Sequence, residues 1–86
     1  MTGPTVSRLV LLGELQPADV TAAIDAFFAL GDPGLVPLGE KYELDVASAV
    51  AAHPFASKTL YRRTAGVSAR RAAVRSAILL ARPEKR

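Results

Sequence analysis

His53 is the single histidine of the chain and cysteine is absent, so the inventory for covalent or metal chemistry is short. A thiolate nucleophile, a Cys-ligated zinc, an iron–sulfur cluster and a disulfide framework all need cysteine. A histidine-based metal site needs carboxylates arranged around His53, and the sequence supplies no such spacing. His53 lies one residue before Pro54 on the apolar side of a short helical pattern. An imidazole there reads as a helix-end group interacting with free carbonyls at the negative end of the dipole. Ser57 and Ser68 occupy helix-cap positions, which account for them without nucleophilic chemistry. Asp32-Pro33-Gly34 is turn chemistry, and the glycines form no strand, Gly-rich loop and helix pattern of the kind that cradles phosphate. The expectation is a non-enzymatic chain with no catalytic residue, cofactor or metal.

The cations carry more information. Residues 1–57 hold two basic residues against seven carboxylates, a net charge of −5, whereas residues 58–86 hold nine against one, a net of +8. A basic segment of this kind attracts nucleic acid, acidic protein surface or anionic lipid through its long-range field. The plainer reading is that the basic half folds against the acidic half of the same chain or of a neighbouring copy. In the last helical segment, Ala69, Ala73, Ala77 and Leu80 form one apolar side, and Arg71, Arg75 and Arg82 gather in a narrow sector beside it. Arg82 suits a helix C-terminus, but Arg70 and Arg71 stand at the start, where the dipole disfavours cations, and this points to an external anion or acidic partner. The candidate partner-binding residues are therefore Arg62, Arg63, Arg70, Arg71, Arg75 and Arg82. No tryptophan and little large apolar surface accompany them, so a membrane is not an expected partner.

Two stretches resemble known families. Ala65-Gly-Val-Ser68, between Leu60-Tyr-Arg-Arg-Thr and the basic helix, resembles the turn of helix-turn-helix proteins over residues 60–75. That resemblance implies that Arg70, Arg71 and Arg75 contact phosphate or bases. The chain differs from the pattern at Arg62, where the family buries a small residue, and at Arg75, where it has an apolar one. Residues 20–38 resemble HEAT-like repeats, in which an Ala-rich helix ends in Leu-Gly-Asp-Pro and the next opens with Val-Pro-x-Leu. The corresponding residues are Leu30, Gly31, Asp32, Pro33, Val36, Pro37 and Leu38, with Gly39 where the family continues the helix. This resemblance implies a helical surface that binds a protein partner and brings no catalytic residues.

These groups must be positioned by a small scaffold. At 86 residues and 50% hydrophobic composition, the expectation is one domain over residues 1–86 with one modest core and loose termini at 1–5 and 84–86. Without disulfide or metal, such a fold relies on helix packing or on self-association for its margin. Pro17 at a first helical turn, Asp19 near the positive dipole end, and the periodicity of Val20, Ala23, Ile24, Phe27 and Phe28 predict a helix over 17–30, with Gly31 as its left-handed C-terminal residue. Val6, Leu9, Val10 and Leu12 predict a short helix. Residues 35–43 read as a short helix or single turn interrupted by Pro37 and Gly39. Asp45 caps a run through Val46 and Val50 that closes at Pro54, Ser57 caps a segment running to Gly66, and Ser68 caps a helix over 69–82. No stretch is read as alternating with period two, so the expected class is all-α, a compact bundle of five or six short helices. The run Leu9–Leu12 is far shorter than a signal-peptide core or a membrane span, and the chain is read as cytoplasmic. The expected function is a helical binding or adaptor module that docks an acidic protein surface or itself through its basic C-terminal surface. The alternative is a small DNA- or RNA-binding protein using residues 58–86.

Overall fold

Thr5 accepts a hydrogen bond from the Arg8 amide at 3.2 Å and so starts the first helix, α1 (Val6–Leu11), which buries Val6 and Leu9. The computed structural model describes residues 3–30, 34–62 and 64–85. Helix α2 (Pro17–Leu30) has the predicted bounds. Its first turn is closed by Asp19, whose carboxylate accepts from the Gln16 amide at 2.8 Å, the return half of a capping box. Val20, Ala23, Ile24 and Phe27 are buried as their spacing requires. Phe28 is turned outward, 40% exposed, because it stands one step round the helix from the buried stripe. The expected cap at Gly31 and turn at Asp32-Pro33 lie outside the described residues.

The all-α expectation is wrong. Leu35–Leu38 and Tyr42–Asp45 are strands β1 and β2 of an antiparallel hairpin, with Leu38 opposite Tyr42 and Val36 opposite Leu44. The physical reason is visible in the residues. Val36 and Leu38 point inward while Leu35 and Pro37 point out, and on the return strand Tyr42 and Leu44 are buried between half-buried Glu43 and Asp45. This is a period-two pattern split into two short halves by the turn. Gly39 takes a left-handed backbone, φ +64°, with the space for a Cβ occupied by Leu15 and Asp19 side-chain atoms at 3.2 and 3.3 Å, so the turn needs glycine there. Pro37, which breaks a helix, is tolerated because β1 is an edge strand of a sheet ordered β1-β2-β3. Glu84 and Lys85, read as part of a loose tail, form β3 and pair with Glu43 and Tyr42. The second helix that a HEAT-like reading opens at Val36 is β1 here.

Tyr42 ties the hairpin to the front of the chain. Its hydroxyl donates to Glu14 Oε1 at 3.2 Å. Burial, and then the charge and hydrogen bond of Glu14, raise its pKa above the ordinary tyrosine value of about 10. A raised folded-state pKa means that ionisation is less favourable in the folded chain than in the unfolded one. The stabilisation is therefore complete below about pH 10 and is lost as pH climbs through the folded value. Urea midpoints measured from neutral pH to above pH 10 should fall more steeply for the native chain than for Tyr42→Phe. Parallel curves would contradict this role for the hydroxyl.

Asp45 caps α3 (Val46–Ala51) as expected, accepting from the Ser48 amide at 3.1 Å. The next cap differs from the sequence reading. Helix α4 (Pro54–Leu60) begins at His53, whose Nδ1 accepts from the Ala56 amide at 3.1 Å, with Pro54 in the first turn. His53 thus serves the start of a helix instead of the carbonyls at the end of one, and Ser57 lies inside α4. His53→Ala should cost about 0.5–2 kcal/mol, the range for losing a side-chain cap, and His53→Asp should retain most of it. Equal urea midpoints for native and alanine chains would contradict the cap. Helix α5 (Val67–Leu80) starts at Gly66 with no side-chain cap, so Ser68 lies in its first turn.

Helix α5 packs against α1, α2, α3 and α4, and the Val6 amide donates to the Ala81 carbonyl at 2.9 Å. Its buried residues Ala73, Val74, Ala77 and Ile78 join Leu9, Leu15, Val20, Leu38 and Val46 in one hydrophobic cluster. No helix among the described residues is long and apolar enough to cross a membrane.

Candidate binding surface

The structure disperses the predicted arginines. Arg71 extends from the first turns of α5 to α2, where its Nη2 donates to Asp25 Oδ1 at 2.6 Å and its guanidinium lies 5.8 Å from the centroid of the Phe28 ring. This is the only ion pair among the described residues. Both partners are substantially exposed, so the pair is worth on the order of 0.2–1 kcal/mol, with a similar contribution from the ring. Arg71 therefore belongs to the α2–α5 contact.

Arg70 is half-buried against the α4–α5 turn, where its Nη2 donates to the Arg62 carbonyl at 3.3 Å. The same carbonyl accepts from the Ala65 amide at 3.2 Å, so Arg70 holds the turn at residue 62. Its Nε is buried without a partner. Arg62 itself is exposed, as is Arg75 one turn beyond Arg71. Arg82 lies past the far end of α5, about 20 Å from the α4–α5 turn on a rise of about 1.5 Å per residue. It lines an open cleft of about 300 Å³ with Glu43, Asp45 and Glu84. Arg63 lies outside the described residues. The six residues thus form no single site. Arg62 and Arg70 meet at the turn, Arg71 and Arg75 follow along α5, and Arg82 belongs to the acidic sheet end.

What the sequence reading missed lies on α4 and the turn that follows it. Phe55 and Lys58 stand one turn apart on α4, Tyr61 is its C-terminal cap and Arg62 follows in the turn, and all four are exposed while Ala56 and Thr59 face the core. The rings protrude, with Phe55 at 62% and Tyr61 at 80% exposure. Phe55 meets the His53 ring edge-on at a centroid distance of 6.3 Å. An open cleft of about 210 Å³ runs between α2, α3 and α4, lined by Phe27, Val50, Ala51, Leu60 and Tyr61 itself. The signal was the spacing of these four residues, which was hidden by placing the start of the segment at Ser57.

The electrostatics of this corner are one-sided. No aspartate or glutamate occurs from Val46 to Pro83, so α3, α4, α5 and their connections carry cations only. Among the described residues the carboxylates sit at Glu14 between α1 and α2, on α2, on the hairpin and at Glu84. Among the described residues no group of three or more histidine or carboxylate side chains is placed to hold a metal ion. Comparison of the chain with family models, with curated proteins and with solved structures returned no match.

Proposed function

We infer that the chain is a non-enzymatic binding module that takes an anionic partner on the cationic surface of α4 and the start of α5. The observation that carries this reading is the charge left over by the fold. Of the basic residues described from Lys58 onward, Arg71 alone makes an ion pair and Arg82 shares a cleft with three carboxylates, whereas Lys58, Arg62 and Arg75 stand exposed without an ion-pair partner. Holding like charges on one face of a small domain works against folding and favours association with the opposite charge. Charge alone admits an acidic protein surface, the acidic hairpin face of a second copy, or a nucleic acid. The shape of α4 discriminates among them.

Retention on immobilised heparin, a polyanion without aromatic bases, tests the reading. Lys58→Glu with Arg62→Glu should elute at much lower salt than Arg8→Glu with Lys41→Glu, two exposed cations outside the surface, although the change in net charge is the same. Equal elution would place the affinity in net charge and overturn the reading. Arg71 is unsuited to this test because reversing it sets a like charge against Asp25.

A further inference from the structure

The aromatic–cationic face of α4 is a stacking platform, and we propose that its occupant is single-stranded nucleic acid. This rests on the reading of the basic surface as the binding surface and names its partner. Phe55 in the first turn of α4 and Tyr61 at its C-terminal cap offer two exposed rings at opposite ends of the element. Lys58 lies between them and Arg62 beside the second. An exposed ring with a cation one turn away is the pairing that holds a single strand, with bases on the rings and phosphates on the charges. The cleft lined by Tyr61 continues the apolar surface inward between α2, α3 and α4.

Three features favour a single strand over other anions. Phe55 projects from the surface, Tyr61 stands exposed at the rim of an open cleft, and a cation, Lys58, lies between them in the chain, whereas a stable protein interface needs about 800 Å² per partner with an apolar centre. No carboxylate stands anywhere on α3, α4 or α5, so nothing on the face repels a phosphate backbone. A duplex reader would need arginines at the start of α5 free to enter a groove, and here Arg70 is turned back onto the Arg62 carbonyl and Arg71 onto Asp25. The residues left outward at that end are Val67, Ser68, Ala69 and Ala72, none long enough to reach base edges and phosphates together. Arg70 acts as a positioning residue that fixes the backbone carrying Arg62.

The test is fluorescence anisotropy of a labelled oligothymidylate strand and of a duplex of the same length, titrated with the full chain at about 50 mM and about 200 mM salt. The single strand should bind more tightly than the duplex. Phe55→Ala with Tyr61→Ala should weaken it about thirtyfold or more, at the low end of stacking contributions for two bases, while leaving heparin retention and the circular dichroism spectrum unchanged. Phe55→Tyr with Tyr61→Phe should restore the affinity. Strand binding that survives loss of both rings, tighter duplex binding, or equally effective competition by polyglutamate would each overturn the proposal while heparin retention still supported an anion-binding surface. If the chain neither bound the strand at the lower salt nor showed the site-dependent heparin retention, both readings would fall.

Discussion

Leu38→Ala is expected to lower the folding stability by about 2–5 kcal/mol, the range for truncating a large buried aliphatic side chain. A chain of this length has in total about 4–13 kcal/mol, on the usual stability per residue. Leu38 is fully buried, the last residue of β1 before the Gly39 turn, and it belongs to the same hydrophobic cluster as Val74 and Ile78 of α5. Its neighbour Leu35 is the matched control, on the same strand but 55% exposed, and Leu35→Ala should change stability by no more than about 0.5 kcal/mol. Urea denaturation of the two variants reads the difference directly. If Leu38→Ala were as mild as Leu35→Ala, the hairpin would be an appendage to a helical core and would not share one core with α5.

That strand is also where the sequence is hardest to read. Pro17, Asp19 and the apolar spacing from Val20 to Phe27 define α2 because one long element repeats its signal over four turns. Asp45 before Val46 does the same for α3 through a single strong cap. The hairpin gives each strand only four residues, too few to display a period of two convincingly. Pro37 and Gly39 read as interruptions of a helix when they are the edge residue and the turn residue of a sheet. Lys41-Tyr-Glu-Leu-Asp45 does alternate, and its two inward residues, Tyr42 and Leu44, are in the core.

The basic surface was legible only in part for a related reason. Charge counting locates cations along the chain, but it cannot tell an arginine that solvent sees from one already held by its own fold. Arg71 and Arg70 are of the second kind, and only tertiary contacts to Asp25 and to the Arg62 carbonyl reveal it. Conversely, composition does not tell which of the five aromatics face solvent, and the structure exposes Phe55 at the start of α4 and Tyr61 at its end. Once α4 starts at Pro54 instead of after Ser57, Ala56 and Thr59 take the inner side.

The second large expected effect is on binding. Lys58→Glu with Arg62→Glu should weaken oligothymidylate binding by on the order of a hundredfold or more, since each hydrogen bond to a charged group is worth about 1.5–3 kcal/mol and every 1.4 kcal/mol is tenfold. The slope of affinity against salt should fall by about one for each phosphate contact removed. Arg8→Glu with Lys41→Glu makes the same change in net charge at α1 and at the hairpin turn, and it should alter affinity only through the weak long-range field. Neither pair touches the core or the Arg71–Asp25 ion pair, so both variants should keep native stability. A similar loss in both variants would mean that the chain attracts anions as a whole and has no binding face.

The most direct measurement is an amide correlation spectrum of the isotope-labelled chain titrated with oligothymidylate at low salt. Shifts are predicted along residues 54–62 and the first turns of α5, with the hairpin at 35–45 and the Asp25 side of α2 unmoved. Shifts centred on the acidic hairpin, spread evenly over the surface, or absent at saturating strand would contradict the assignment of α4 as the binding face.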